Sequence, residues 1–552
     1  MTRPALACSL LAASSLLAAC AAPRPAVPTS AAPTSGPAAE ARSPGPLTRA
    51  ERTDFRETSA YADVLAFLDA LPADARRHRT AFGTTGEGRA LPLVVWGAPD
   101  ATPEAVRATG KTRVLLFANI HAGEVDGKEA LLVLLRDLAA GRHDAWADSL
   151  VLLVAPIYNA DGNERVDVGN RPLQNGPVAG MGQRPNAAGL DLNRDFAKLR
   201  APETRALVGL MRAYDPHVVA DLHTTDGTPM AYGLTYAPGL NPATPAAISD
   251  DLFGRWLPEI SSRLAATGGP LSYHYGNVPG AFGEEAAAPR GWYSYSAQIR
   301  YSANYVGARG RYGILSESYS YDPFETRVRS SRRFAEEIAE QAWREATHVR
   351  RAVEAGDRMT VTGQDVAVRS TFEALPAPAE VLLGRVDTLA NPVSGAPMLR
   401  NTGAVLRETM PAYIRFRASE TTRAPRAYAV LFGPWQAGVR ELLDLHGVPY
   451  TLGFVWGTAR EGFRVDSVRV SPRPSANAPG VEAFGAWVPV PAEAGPPPRL
   501  AAALLVPTSG PLGRLAVLLL DPRSDDGVVA WGLVPPDALA PGDLAPIQRL
   551  PR

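Results

Sequence analysis

His121 and Glu124 stand with two residues between them in Asn119-Ile-His-Ala-Gly-Glu-Val-Asp126, directly after the apolar run Arg113–Ile120. A further histidine, His223, closes the mostly apolar stretch His217-Val-Val-Ala-Asp-Leu-His223. Two imidazoles and one carboxylate, with a fourth position left open, are the donor set of a hydrolytic zinc site. An HxxE pair alone arises easily by chance, so its companions matter. Glu317, in Gly313-Ile-Leu-Ser-Glu-Ser318, follows an apolar run; a carboxylate so placed can serve as a general base beside a metal. Asn193-Arg194, within Gly189-Leu-Asp-Leu-Asn-Arg-Asp-Phe196, can grip a carboxylate, the guanidinium by two prongs and the amide as one donor. Arg184 lies just upstream as another positive donor. The remaining histidines, His78, His143, His217, His274, His348 and His446, read as hydrogen-bonded structural or surface residues.

These residues need elements that bring them together. Ser59–Leu71 has helical spacing with Ser59 as N-cap, and Asp126–Ala140 reads as a helix closed by Gly141. Leu91–Trp96, Val114–Ile120, Ser149–Ile157, Val218–Leu222 and Tyr312–Leu315 read as strands. A long Gly-containing loop spans 159–189. Pro202 opens a helix to Tyr214, and Thr326 to about Glu354 reads as one long charged helix. Continuous apolar strands alternating with helices give an α/β fold, a mostly parallel or mixed central sheet flanked by helices. Ligands bind at the carboxyl ends of strands in such sheets. His121, Asn159, His223 and Glu317 each lie at or just after such an end.

Length and composition bound the rest. A chain of 552 residues exceeds one ordinary core, so two or three domains are expected. Lys plus Arg and Asp plus Glu number 56 each, which gives no basic excess for nucleic acid. Arg3, the short apolar run Ala5–Ala19 and Leu17-Ala-Ala-Cys20 resemble a bacterial lipoprotein signal, with cleavage before Cys20 and lipid on its thiol. Residues 1–19 are thus read as signal and 20–50 as an Ala/Pro/Ser-rich disordered tether. A lipid anchor in the cell envelope follows as an expectation, with Ala21 favouring the outer membrane. The other cysteine, Cys8, falls inside the signal, so neither an internal disulfide nor a cysteine zinc ligand is expected. Composition shifts near 356. Residues 51–356 are read as the catalytic domain and 357–552 as a smaller α+β region of one or two domains. In that region Val430–Phe432 reads as a strand and Gln436–His446 as a helix closed by Gly447.

In order and interval, His121-Ala-Gly-Glu124, Asn159-Ala-Asp-Gly162, Arg184, Gly189-Leu-Asp-Leu-Asn-Arg194, His223 and Glu317 resemble the M14 family of zinc metallocarboxypeptidases. The resemblance covers roughly residues 54–354. The segment Leu518-Leu-Leu-Asp-Pro-Arg-Ser-Asp-Asp-Gly527 resembles the C-terminal region of some bacterial members. The resemblance implies one Zn2+ per chain on His121, Glu124 and His223, and Glu317 as general base. It implies Arg184 at the scissile carbonyl, Asn193 and Arg194 on the substrate's terminal carboxylate, and Asp191 orienting the ring of His121. The expected substrate is a peptide with a free C-terminus. For the substrate-capping tyrosine, Tyr293, Tyr295, Tyr301 and Tyr305 compete, and Tyr295 has the spacing of the digestive members. An amidase or deacylase acting on N-acyl amino acids or cell-wall peptides is the nearest rival. A binding protein with a vestigial metal site and a structural scaffold are the non-enzyme alternatives.

Overall fold

The computed structural model describes residues 43–280, 288–455, 457–472, 475–492 and 502–551. The expected signal, Cys20 and most of the expected tether lie outside the described residues. All the described residues belong to one compact unit. Among them, no helix is long and apolar enough to cross a membrane.

The architecture is set by a run of apolar strands. In chain order the strands are β1 (Arg77–Thr84), β2 (Ala90–Trp96), β3 (Thr112–Ala118), β4 (Leu150–Ala155), β5 (Val218–Thr225), β6 (Leu234–Pro238), β7 (Ser272–His274), β8 (Trp292–Tyr293) and β9 (Tyr312–Tyr319). All but β8 form one sheet of order β1-β2-β4-β3-β5-β9-β6-β7. Its centre, β4-β3-β5-β9, is parallel, while β1, β2 and β6 join antiparallel. Every residue of β3, β4 and β5 is buried, as expected of strands covered on both faces.

Helices α1 (Arg49–Arg52), α2 (Tyr61–Ala70), α3 (Pro103–Ala108), α4 (Asp126–Ala139), α5 (Ala160–Asn163), α6 (Pro202–Tyr214), α7 (Ala246–Asp251), α8 (Leu257–Ala266), α9 (Ser302–Ala308), α10 (Phe324–Arg344) and α11 (Ala346–Arg358) accompany it. One apolar layer joins α4, α8 and α10 to the sheet through Leu131, Leu135, Leu116, Leu222, Trp256 and Ile338. Helix α4 approaches closely because residue 127 is glycine. A Cβ there would lie 2.7 Å from Leu222 Cβ and 2.9 Å from Ala118 Cβ.

Several sequence expectations need correction. Residues 43–50 are packed rather than tether-like. Thr48 and Glu51 form a reciprocal capping box on α1, and Arg136 donates to Pro46 O at 3.1 Å and to Glu51 at 2.7 Å. Ser59 does not cap α2, whose N-cap is Ala60; its hydroxyl donates to Glu129 instead, at 3.0 Å. Strand β3 stops at Ala118 because Asn119 turns into the left-handed region at φ 67°, which asparagine tolerates. The expected single helix over 326–354 is two, α10 and α11. The break at Glu345 sends its carboxylate to the Trp256 indole at 2.8 Å. The strand read at 430–432 is Ala427–Val430.

The composition shift near 356 falls at the end of α11. Beyond it, strands pair in twos and a six-stranded antiparallel sheet forms. Its order is Thr451–Gly453, Ala503–Pro507, Ala427–Val430, Leu544–Leu550, Arg460–Val470 and Val481–Val490. Helices Gln436–His446 and Gly513–Leu520 pack on it. Among the described residues this region has no separate core. One apolar cluster runs from Leu115, Phe196 and Tyr305 of the first part into Leu443, Leu515, Val529 and Ile547 of the second.

Candidate metal centre and active site

Strand register places the chemistry. His223 of β5 pairs directly with Glu317 of β9, so both side chains leave the sheet on one face. Their successors, Thr224 and Ser318, point to the other face, where both hydroxyls donate to Asp126 at the start of α4, at 2.5 and 2.8 Å. Arg327 of α10 completes that anchor. It is fully buried, donates to Asp126 at 2.9 Å, and holds the carbonyls of Asn175 and Gly176 in the long loop at 2.8 and 2.7 Å.

His121 and Glu124 arrive on the turn after β3. Glu124 N–H donates to His121 O at 2.9 Å. Asn119 Nδ2 donates to Ala122 O at 3.3 Å. Asn159 Nδ2 reaches both Ile120 O and Arg184 O, each at 3.3 Å, which explains the Asn159 motif: it ties the metal turn to the loop that carries Arg184. Gly123 clears space for Arg171, whose Cδ and Nε would lie 2.9 Å from a Cβ at that position.

The two imidazoles converge on one carboxylate. His121 Nδ1 lies 2.8 Å from Glu124 Oε1 and His223 Nδ1 lies 2.7 Å from Oε2. The three ligand atoms fall within 4.8 Å of one another, and all three residues are buried. The opposite ring nitrogens face carboxylates as well, His121 Nε2 to Asp191 at 3.0 Å and His223 Nε2 to Asp221 at 2.8 Å. With an ion held by Glu124 and the two Nδ1 atoms, the protons would sit on Nε2 and be donated to Asp191 and Asp221, which can only accept. Burial works against charge on Glu124, yet His121, Arg171 and His223 hold its carboxyl well below the usual range. Burial likewise opposes charge on His223, yet Asp221 and Glu124 raise it well above an ordinary histidine. The cluster therefore favours positive charge between the Nδ1 atoms and Glu124, which is where a divalent ion would sit. The donor set fits zinc.

Glu317 is pushed up to about 8. Burial is the main cause, the nearby Glu124 and Asp221 carboxylates add to it, and His223 and Arg171 oppose it. Arg184 is partly open, its side chain 44% exposed, and donates Nε and Nη2 to Asp191 at 3.0 and 2.8 Å, with Nη1 3.9 Å from Glu124. Burial opposes its charge, but Asp191 and Glu124 raise it further. Asn193 accepts Ser302 N–H at 2.9 Å and places Nδ2 3.5 Å from His223 Nε2. The Arg194 guanidinium lies 4.2 Å from the centre of the Tyr301 ring.

The structure thus brings His121, Glu124 and His223 together, with Asp191 on His121, Arg184 on Asp191, Asn193 beside His223 and Glu317 opposite it; Cys20 lies outside the described residues. The Tyr295 hydroxyl donates to Asn304 at 3.2 Å, and its ring packs edge-on against Tyr275 and Tyr301. Of the four competing tyrosines, Tyr301 is the one beside Arg194. The other six histidines are elsewhere; His217 Nδ1, for example, accepts Arg113 N–H at 3.0 Å.

Two participants were missed. Asp221 had a signal: a lone carboxylate inside a buried strand, two residues before His223 and so on the same face. Arg171, ion-paired with Glu124, had none, because nothing in a 30-residue loop marks which arginine turns inward.

Residues 64–305 match the model of the zinc carboxypeptidase family. That stretch, less than half of the chain, is similar to an M14-type zinc carboxypeptidase domain. Carboxypeptidase 2 of Trichophyton rubrum is 33% identical over 141 residues, 25% of this chain and 23% of that protein. Human carboxypeptidase D is 31% identical over 163 residues, 25% of this chain and 11% of that protein. The chain thus spans less than a quarter of the length of these curated relatives. Among solved structures, a metallo-carboxypeptidase from Burkholderia cenocepacia is 20% identical with a TM-score of 0.38, over 52% of this chain and 70% of that one. The M14 match ends before Glu317, whose place rests on strand register alone.

Proposed function

We propose that the protein is a zinc metallocarboxypeptidase that removes residues from the free C-terminus of peptides. The observation that carries this reading is the joint geometry: two Nδ1 atoms aimed at Glu124, with Glu317 in register with His223 and the Asn193 amide 3.5 Å from the same ring. His121, Glu124 and His223 would hold one ion. Zinc there supplies Lewis-acid polarisation and makes water nucleophilic at neutral pH.

The chain's own residues do the rest. Glu317 accepts a proton from the attacking water at its carboxylate and returns it to the leaving amine. The charge of a dication favours its ionised form, against the burial that pushes it up. Arg184, open to the crevice, carries the positive charge that steadies the developing oxyanion. Asp191 ties that guanidinium to the ring of His121, so electrophile and metal turn share one brace. Asn193 and Arg194 take the terminal carboxylate, with Tyr301 against Arg194.

Digestion of a peptide library by the zinc-loaded protein, read by mass spectrometry, tests the reading. Products should shorten one residue at a time, and C-terminal amidation should block them. Internal cleavage, or indifference to amidation, contradicts it; release of acyl groups from N-acyl amino acids instead would select the deacylase alternative. We further propose that Cys20 carries a lipid that anchors the enzyme in the cell envelope, supported by Leu17-Ala-Ala-Cys20. A Cys20→Ser variant should leave the detergent phase on partitioning; a variant that stays there rules out the anchor.

A further inference from the structure

The motif Leu518–Gly527 remains without a role in this reaction, yet its acidic end reaches the carboxylate-binding side of the crevice. Asp526 is 2% exposed. Its Oδ2 accepts the backbone N–H of Arg300 at 2.9 Å, and its Oδ1 accepts the Arg300 guanidinium at 2.9 Å. The Arg300 carbonyl in turn accepts Phe196 N–H at 3.3 Å. Arg300 is thus gripped at its amide, its carbonyl and its side chain. The residue that follows is Tyr301, whose ring lies against Arg194, and the next is Ser302, whose N–H holds Asn193.

A second contact from the same C-terminal segment reaches the pair through Lys198. Lys198 donates to the carbonyl of Arg194, and its ammonium lies 4.4 Å from the centre of the Trp531 ring. The far end of the tyrosine segment is held as well. Trp292 N–H donates to Pro411 O at 2.8 Å and Ser294 N–H to Tyr413 O at 3.1 Å. The C-terminal region therefore touches Lys198, which is bonded to the Arg194 carbonyl, and both ends of 292–301.

We propose that Asp526, assisted by Trp531, is a positioning residue that sets Arg194 and Tyr301 for recognition of the substrate's terminal carboxylate, which makes the C-terminal region part of the substrate site. This inference rests on the carboxypeptidase reading. A guanidinium recognises a carboxylate by a planar two-pronged fit, so a small tilt costs affinity for that group in particular. The metal ligands and Glu317 are carried by other strands and turns, and the link from this segment to His223, Ser302 to Asp221, has its far partner held in the fully buried strand β5, so kcat should change less than KM.

The test compares full-length zinc-loaded protein with Asp526→Asn and Trp531→Leu variants. KM for a peptide acid should rise about tenfold or more, a loss of ~1.4 kcal/mol per factor of ten, while kcat stays within about threefold and zinc content is unchanged. Equilibrium binding of the same peptide as acid and as C-terminal amide, on a Glu317→Gln background, should show the acid losing its preference. A general loosening of the fold would instead lower zinc content or kcat, and that result overturns the proposal, as does an unaltered acid-to-amide ratio. Should Asp526→Asn not fold, Arg300→Lys keeps the charge pair, shortens the fork and reads the same ratio. If the parent protein releases no C-terminal residues, the functional reading fails first; acid-over-amide binding and its loss in the variants still decide the positioning role.

Discussion

Asp221→Asn isolates one brace of the proposed metal centre. The residue sits in the middle of β5, 1% exposed, with Oδ2 2.8 Å from His223 Nε2 and with Ser302 also donating to it. Asparagine keeps the size and an accepting oxygen, so the imidazole keeps its orientation and tautomer. What disappears is the negative charge that makes the ring a stronger donor. Removing such a partner typically lowers metal affinity by about 10- to 100-fold. The asparagine variant should fall near tenfold, ~1.4 kcal/mol, because the geometry survives. Asp221→Ala should approach a hundredfold, ~2.7 kcal/mol, because it also frees Ser302 and the ring. Competition with a chromogenic chelator at fixed pH measures both. Zinc binding within twofold of the parent protein in Asp221→Ala would refute the reasoning, since the His223 ring would then need no carboxylate behind it.

Glu317→Gln should bind zinc normally while kcat falls by about 10²–10⁴, the usual contribution of a positioned base; initial rates together with metal analysis check it. Arg184→Ala should lower kcat by roughly 10²–10³ with a smaller change in KM, read from steady-state kinetics on one peptide. Acid should weaken the fold through His446, a buried residue that accepts the Tyr305 hydroxyl at Nδ1 and donates to Ala197 O from Nε2. Burial pulls it down from 6.5 to about 3. The unfolded chain therefore binds the extra proton first. Its contribution is complete above about pH 6.5 and is lost as pH falls towards 3, by at most ~1.4 kcal/mol per pH unit. Denaturant melts of His446→Gln between pH 4 and 7 should show a shallower pH dependence than the parent; identical slopes would remove His446 from the acid response.

The sequence exposed the site better than the architecture around it. His121, Glu124, His223 and Glu317 were legible because polar residues at or just after the ends of apolar strands stand out, whereas Arg184, Asn193 and Arg194 lie outside the strands and were legible from the order and spacing of the motifs. Helix α6 and the helix Gln436–His446 were legible for a local reason: proline opens the first, and glycine in the left-handed region closes the second. Boundaries governed by distant partners were not. Glu345 breaks a strongly periodic helix where its carboxylate meets Arg255 and Trp256 from the turn that leads into α8. Residues 43–50 look like linker until Arg136, some 90 positions away, collects them. The role of Asp526 was hidden in the same way. It is one acidic residue in an Asp-rich motif until its partner, more than two hundred positions earlier, is known.

X-ray absorption at the zinc edge of the loaded protein tests the central claim most directly. The account predicts one zinc per chain with two nitrogen donors at about 2.0–2.1 Å and carboxylate oxygen at about 2.0–2.2 Å, and loss of one nitrogen shell in His223→Ala. A stoichiometry near zero, or a spectrum without histidine scattering, would contradict it.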